Sequence, residues 1–365
     1  MIVETLRLKN FRSYESCSVS LNPGMNLFTG ANAAGKTNLL ESLVYLSLTR
    51  SHRINDDSQL IRHDAPYAEI ACRFHDGIDK EIGAIIRPDG KTLLLEHQPV
   101  RKSSEFVGLL NVVLFAPDDL GVFTDAPRTR RRILNQEITK ISPKYLAALT
   151  DYQNLLKQRN SLLKNQNVDA GYLEVLDAQM IQKSIAIIHA RRAFVKGINR
   201  HMEARYQTLA DDPLACSLEY VSCIDLADED IETSLQNLYF DSRQRDLENH
   251  VTSIGIHRED LVFELDHRNV TESASQGQKR MVMLAFKMAL LQFIEEAVKK
   301  KAVFLLDDVL SELDRSRQEK LIELAGSQCQ CVITATEIPT FLKGSSLTEF
   351  SIENGTIETK NGGTR

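Results

Sequence analysis

The residues with the clearest chemistry are 30–37, Gly-Ala-Asn-Ala-Ala-Gly-Lys-Thr. The spacing G-x-x-x-x-G-K-T suits one task, holding the phosphates of a nucleotide. Gly30 and Gly35 let the backbone curl, so that the N–H groups of Ala31, Asn32, Ala33 and Ala34 can turn inward on phosphate oxygens. Lys36 has the length to reach the β- and γ-phosphates, and the Thr37 hydroxyl can ligate Mg²⁺. A Gly/Ala-rich turn with a chance Lys-Thr is the plainer alternative, and the flanks speak against it. Residues 25–29 (MNLFT) read as a strand, and residues 37–47 (TNLLESLVYLS) carry apolar side chains at helical spacing. A strand, loop and helix in this order aim the positive helix end at the phosphates. ATP or GTP, with Mg²⁺, is the expected ligand.

A second set of residues completes such a site. Residues 303–308 read VFLLDD. An apolar strand ending in Asp is where the metal ligand sits in phosphate-loop ATPases, so Asp307 would hold the metal. Asp308, one residue on, is placed to orient or deprotonate the attacking water, a catalytic role beside that of Lys36. Alone this strand is a weak signal; with the loop it is strong. Ser275-Gln276-Gly277-Gln278 precedes a long apolar helix. A hydroxyl, free N–H groups and a helix dipole make a second anion site there, and an ordinary Ser cap is the bland alternative. Their order decides: S-x-G-Q, helix, strand with Asp-Asp, then Ser311-Glu312-Leu313-Asp314. This layout resembles the ABC-type ATPases. The resemblance implies that Ser275, Gly277 and Gln278 close on an ATP held by a second subunit.

The elements that must position these residues divide the chain. It has 365 residues, 42% hydrophobic and 26% charged, enough for about two domains. No apolar run reaches about 18 residues, and no basic-then-apolar leader follows Met1, so a cytoplasmic protein without a membrane partner is expected. The net charge of −6 excludes a uniformly basic surface but not DNA binding, which depends on where the positive charge lies. Six cysteines form no C-x-x-C pair. Cys329 and Cys331, two apart, read as sharing one strand face, as buried thiols or as a metal site.

Residues 2–9 read as a strand, and 66–100 as a meander turning at Asp76-Gly77 and Asp89-Gly90. Residues 111–116 form another strand. Apolar spacing predicts helices over 145–164 and 172–209, joined by the polar NQNVDAG, hence a short antiparallel helical hairpin about 30 and 55 Å long. It is either a packed lobe or a reduced coiled-coil arm. Further on, 214–224 reads as a strand, 228–250 as a polar helix, 278–299 as a deeply buried helix, and 302–306 and 331–334 as covered strands. Residues 350–359 form a hairpin at Asn354-Gly355, and 360–365 a loose tail. The expected fold class is α/β: an ABC-type phosphate-loop ATPase head split between 1–140 and 245–365, with an inserted, mainly helical lobe at 141–244.

The gap from Thr37 to Ser275 exceeds that of a transporter's nucleotide domain. Within ABC-type proteins, the chromosome-maintenance branch uses such insertions to carry coiled coils. The chain resembles the RecF family of bacterial recombination and repair ATPases. The carrying stretches are LRLKNFRSY (6–14), GANAAGKTNLLE (30–41), FAPDDLGVFTDAPRTRRRIL (115–134), GIHREDL (255–261), SQGQKR (275–280) and LLDDVLSELDRSRQEKL (305–321). Three departures are Ile133-Leu134-Asn135 where an aromatic and Leu-Asp are usual, Ile256 and Glu259 where Pro and Asp are common, and Ala335 where ABC ATPases often carry His. RecF-like proteins share the last, which fits slow hydrolysis.

The resemblance implies an ATP-dependent homodimer that clamps DNA at gaps or single-/double-strand junctions, with weak DNA-dependent ATPase activity. With RecO and RecR it would support RecA loading, replication restart and SOS induction. For DNA contact the residues offer Arg128, Arg130, Arg131 and Arg132, a dense basic cluster that suits phosphates or, equally, a solvated face pairing with Asp118, Asp119 and Asp125. Arg12 is a further candidate, for nucleotide or DNA; Lys279 and Arg280, next to S-x-G-Q, would steer toward the second subunit's phosphates, and His257 and Arg258 would join the site from the returning strand. A transport or translation module would want a short insertion and a switch His; another DNA-maintenance or nuclease-coupled complex, or a passive scaffold, are the remaining rivals.

Overall fold

The structure is a computed structural model describing residues 1–226, 230–342 and 347–361. The chain folds as two compact units, one of residues 1–120, 201–214 and 276–365, the other of 121–200 and 215–275. The order begins β1 (Ile2–Phe11), β2 (Tyr14–Ser20), β3 (Met25–Thr29), α1 (Lys36–Leu48), β4 (Ala68–His75), β5 (Asp79–Arg87), β6 (Gly90–Leu95), β7 (Gln98–Pro99), α2 (Ser103–Phe106) and β8 (Val112–Phe115). It continues with α3 (Pro127–Ile141), α4 (Pro143–Leu162), α5 (Ala170–Ala210), β9 (Cys216–Val221), α6 (Ile231–Asn249), β10 (Asp260–Leu265), β11 (Arg268–Asn269) and α7 (Val270–Ser273). It closes with α8 (Gln276–Val298), β12 (Val303–Asp307), α9 (Arg315–Gln328), β13 (Cys331–Ala335), β14 (Thr348–Glu353) and β15 (Thr356–Asn361).

The first unit holds two six-stranded sheets. One is antiparallel, in the order β2-β1-β4-β5-β6-β7; the other runs β15-β14-β3-β13-β12-β8. In the second sheet β14, β3, β13, β12 and β8 are parallel. That explains the apolar runs of β8, β12 and β13, since a parallel strand is covered on both faces. Phe28 and Phe350, opposite each other on β3 and β14, stack with centroids 4.5 Å apart. Helix α1 packs on strands of both sheets, and Leu39, Leu40, Leu43 and Leu46 are fully buried. Helix α8 buries Met281–Leu291 on every face. Its one interior cation, Lys287, reaches Asp119 at 3.0 Å, so Asp119 is not a partner of the arginine cluster.

In the second unit, α4 and α5 run antiparallel: Gln158 meets Tyr172, Arg159 meets Asp177, and Asp151 meets Lys183. Two buried arginines knit the unit together. Arg159, fully buried, donates to Asp177 at 2.6 Å, Asp246 at 2.7 Å and Thr252 at 2.9 Å. Arg191 donates to Glu259, to the Ile256 carbonyl at 2.9 Å and to Asn135 Oδ1 at 2.9 Å. Glu259 also accepts from Tyr220 and from Ser222 Oγ at 2.9 Å. The two family departures at Asn135 and Glu259 thus meet on one arginine. Residues 121–140, grouped with the head in the sequence division, pack here with β10: Arg130 forks onto Asp260 at 2.9 and 2.7 Å, and Phe123 meets Phe263 edge-on.

Several expectations need correction. β2 was not anticipated: its alternation is polar, and what it buries is Tyr14 and Val19. Cys329 is not on the strand with Cys331 but caps the C-terminus of α9. The helix expected from 228 starts at Ile231 behind an Asp230 cap whose carboxylate accepts from Thr233 N at 3.0 Å. Asp228 itself, like residues 362–365 of the expected tail, lies outside the described residues. Among the described residues no helix is long and apolar enough to cross a membrane.

His257 is half-buried in the second unit, its ring between the Tyr152 hydroxyl at 2.8 Å and the Thr252 carbonyl at 3.2 Å. With Tyr152 donating to Nδ1, Nε2 carries the proton and the ring is neutral. Burial, above all, pushes its pKa down to about 4. The unfolded chain therefore takes up this proton first, and stability falls as pH drops from about 6.5 toward 4. By pH 4.5 the loss from this group should reach roughly 2–3 kcal/mol. Denaturant titrations at pH 7 and 4.5 should show wild type losing that much more than His257→Gln; equal losses would exclude His257 as the source.

Candidate functional site

Parallel register brings the site together. Thr29 of β3 lies opposite Ala335 of β13, and Thr334 lies opposite Asp307 of β12. The carboxyl ends of three strands thus meet where the 30–37 loop begins, the usual position of ligand sites in such sheets. Gly30 is required by a close approach: a Cβ there would sit 2.4 Å from the Ile352 carbonyl oxygen on β14. Gly35 has φ +116°, and a Cβ would meet Ser13 Oγ at 2.8 Å. Tyr14, on the strand that sequence reading missed, donates its hydroxyl to the Gly35 carbonyl at 3.0 Å and so anchors the loop's end. Burial pushes the Tyr14 pKa up, keeping it a donor.

Helix α1 starts open. Gly35 offers no side-chain cap, and no acidic residue lies in the first turn. By contrast Ser142, Asp230 and Asp314 cap α4, α6 and α9. An uncapped, buried helix start keeps N–H groups and a positive dipole end for an anion. Ala33 has φ 65°, a left-handed conformation that costs a non-glycine residue about 1–2 kcal/mol. Lys36, 7% exposed, lies back on the loop and donates to the carbonyls of Gly30 at 2.6 Å and Ala31 at 3.0 Å.

Asp307 is the junction. Its Oδ1 accepts from Thr37 Oγ1 at 3.1 Å and Thr334 Oγ1 at 2.7 Å. Asp308 donates its N–H to Thr334 Oγ1 at 3.0 Å and has φ 48°. Asp308 Oδ1 is buried with no hydrogen-bond partner among the described residues. Such an orphaned acceptor costs about 1–3 kcal/mol and invites a donor from outside the chain. No cluster of three or more His, Cys, Asp or Glu suited to a metal occurs among the described residues. Thr37 and Asp307 alone suit Mg²⁺, which takes one or two protein oxygens beside phosphates and water. The donor set therefore fits Mg²⁺ with a phosphate ligand, and does not fit a metal held by protein alone.

The other sequence candidates fall elsewhere. Ser275 immediately precedes α8, and Gly277 and Gln278 lie in its first turn. Arg280 pairs with Glu312 at 2.5 Å. Arg12 is committed to Glu41, with Nε and Nη2 each at 2.9 Å from a carboxylate oxygen. Glu41 is fully buried; burial pushes its pKa up, but the bonds from Arg12 and Ser51 outweigh that, and the net shift is downward. Of the basic cluster, Arg130 and Arg131 turn inward onto Asp260 and the Glu259 carbonyl, leaving Arg128 and Arg132 exposed. His257 and Arg258 belong to the second unit. Sequence reading missed Thr334 as well as Tyr14 and Ile352: Thr334 is one residue before Ala335, whose departure drew the attention.

Thr334→Val keeps the side chain's shape but strands the Asp308 N–H and removes a donor from Asp307. It should destabilise the protein by about 1–3 kcal/mol in denaturant titration, and weaken binding of a fluorescent ATP analogue through the misplaced Asp307. Unchanged analogue affinity would remove Thr334 from the site.

With this geometry in place, likeness to known proteins becomes informative. The sequence profile of the RecF/RecN/SMC N terminal domain matches residues 2–358. DNA replication and repair protein RecF of Streptococcus gordonii is 36% identical over 367 residues, covering 98% of this chain and all of that protein. RecF of Lachnoclostridium phytofermentans is 34% identical over 366 residues, covering 98% and 99%. Among solved structures, a recombination mediator protein RecF with ATP, of the RecFOR pathway, superposes with TM-score 0.91 at 28% identity, covering 99% of this chain and 98% of that one. The Smc head domain of Pyrococcus furiosus, solved with an extended coiled coil and bound to the C-terminal domain of ScpA, gives TM-score 0.58 at 19% identity, covering 98% and 95%. That second likeness is one of fold: an ABC-type ATPase head of mixed α/β build. The full-length match and the chain-wide superposition agree that this chain belongs to the RecF family of DNA replication and repair proteins.

Proposed function

We propose that this chain is an ATP-dependent DNA-binding protein of recombinational repair and replication restart. Two copies would close around DNA at a gap or junction when ATP binds, and slow hydrolysis would reopen them. The observation that carries the reading is the Asp307 junction: loop, metal-side hydroxyl and an unpartnered Asp308 carboxylate oxygen converge on one point. A RecF neighbour described with ATP supports the choice of nucleotide. That neighbour is placed in the RecFOR pathway, which supports RecO and RecR as partners; RecA loading and SOS induction would be the outcome. The first unit would be the ATPase head and the second the inserted lobe.

When bound, Mg²⁺-ATP supplies a phosphoanhydride electrophile whose charge the cation offsets. The chain's own residues do the rest. Lys36 would exchange its loop carbonyls for phosphate oxygens, and the N–H groups of residues 31–35 would line the loop's inner side. Thr37 and Asp307 would hold Mg²⁺. Asp308 would receive a water proton at Oδ1. Ala335, buried where ABC ATPases often carry His, supplies no such group, in keeping with slow turnover. Ser275, Gly277 and Gln278 would complete the partner's site. Gly277 supports this: a Cβ there would meet no described atom within 4 Å, although glycine in a helix costs about 1 kcal/mol against Ala. Packing within the chain gives no reason for a glycine, whereas a phosphate approaching from a second copy does.

Three variants test the scheme by light scattering and DNA titration over gapped, tailed and blunt duplexes. Lys36→Arg should lose ATP-dependent dimers on DNA. Ser275→Arg should bind ATP with wild-type affinity yet stay monomeric; dimerisation as in wild type would end the trans-completed site. Asp308→Asn should persist as a closed dimer, and rapid turnover in it would remove Asp308 from catalysis.

A further inference from the structure

One stretch of α5 carries positive charge that neither the nucleotide site nor the core uses. His189, Arg192, Lys196 and Arg200 follow one another at intervals of three, four and four residues, which places them on one line of the helix. His189, Arg192, Lys196 and Arg200 are all exposed. Arg192, Lys196 and Arg200 span about 12 Å, with charges about 6 Å apart along the axis at a rise of 1.5 Å per residue. Arg192 and Lys196 have no hydrogen bond or ion pair among the described residues. Four other arginines of this unit, Arg130, Arg159, Arg191 and Arg243, end on carboxylates, while Arg128 and Arg132 are exposed on α3. In a chain of net charge −6, two unpaired cations on one helix line are a local reversal of sign.

A groove of about 720 Å³ runs beside this line. Arg192, Lys196 and Arg200 form one wall with Val195; Leu218 and Tyr220 of β9 are on the other. Glu219 is the one carboxylate among its lining residues. Val195, Leu218 and Tyr220 show only their edges, so the groove's apolar surface is completed by Leu226 and the aliphatic stems of the cations; the result is still two-sided, cations in a row with an apolar strip beside them. An ordinary solvated helix face has the first without the second. A DNA duplex offers phosphates to the cations but keeps its base faces stacked. An unpaired strand offers phosphates and exposed base and sugar faces together, which is how sequence-tolerant single-strand sites work.

We propose that the Arg192–Lys196 line of α5, with its groove, binds single-stranded DNA, phosphates on the cations and bases toward the apolar wall. This rests on the reading of the chain as a DNA-binding protein, and assigns the single-stranded side of a gap or junction to this face of the second unit.

The test uses the full chain with Mg²⁺-ATP, a labelled oligothymidylate and a blunt duplex of equal length, each titrated at several salt concentrations. Arg192→Gln/Lys196→Gln should bind the single strand at least tenfold more weakly. Its log–log salt slope should shrink by about 1.4, two phosphate contacts at roughly 0.7 each. Duplex affinity should stay within twofold. Ala193→Trp, which narrows the groove without changing charge, should weaken the single strand alone. Both sites are exposed, so thermal unfolding should match wild type. Unchanged single-strand binding in the double variant overturns the proposal while leaving the functional reading intact. An equal loss on both DNAs overturns it in favour of a general backbone contact. Wild type that binds neither DNA, with or without ATP, defeats the functional reading itself.

Discussion

A buried carboxylate needs hydrogen bonds, and Asp307 takes its two from hydroxyls far away in the chain. One belongs to Thr37, the second residue of α1; the other to Thr334 on β13. Thr334 in turn accepts the N–H of Asp308. Four positions from three chain segments are thereby held at one level of the sheet. Because side chains alternate along a strand, a one-residue slip of β12 against β13 would turn Asp307 to the opposite face. The phosphate loop, the metal-side oxygens and the orphaned Asp308 carboxylate all presuppose that register.

Much of this was legible because the chemistry is local. The 30–37 loop, the 303–308 strand and the Ser275 segment are short runs whose residue types state their purpose, and covered parallel strands announce themselves as apolar runs. The rest was hidden because it is not local. Nothing in GANAAGKT says that Gly30 must clear the Ile352 carbonyl, or that Tyr14 fastens Gly35. β2 escaped notice because an edge strand with one buried face and many serines carries little periodic signal. Cys329 looked like a strand residue because two apart in sequence means one face only if the strand has already begun.

Charge was the least legible property. Arg128 to Arg132 is the densest basic run, yet two of its members face inward onto Asp260 and the Glu259 backbone. Arg12 sits beside the loop in sequence and space but serves Glu41. Two further cations left exposed, Arg192 and Lys196, are spread through a helix at intervals that no composition count would notice. Guanidinium groups suit both burial and phosphates, so only their partners tell the uses apart. In the second unit two buried arginines are added to an apolar core that includes Leu173, Met180, Ile187, Phe194 and Ile198. Each arginine meets two or more acceptors, the condition under which buried charge is tolerated, although Arg159 Nη2 finds none among the described residues.

The chain order of the mixed sheet bears on biosynthesis. Strand β3 comes early, but its two neighbours, β13 and β14, come from residues 331–353. A nascent chain would therefore carry its glycine-rich loop on an apolar strand with open edges until almost everything downstream had left the ribosome. Closing such remote pairings is entropically slow, and exposed strand edges invite misassembly in the meantime. The nucleotide pocket is then among the last features of its unit to appear. A chain not yet extended through Ile352 has no β14 backbone beneath its glycine-rich loop.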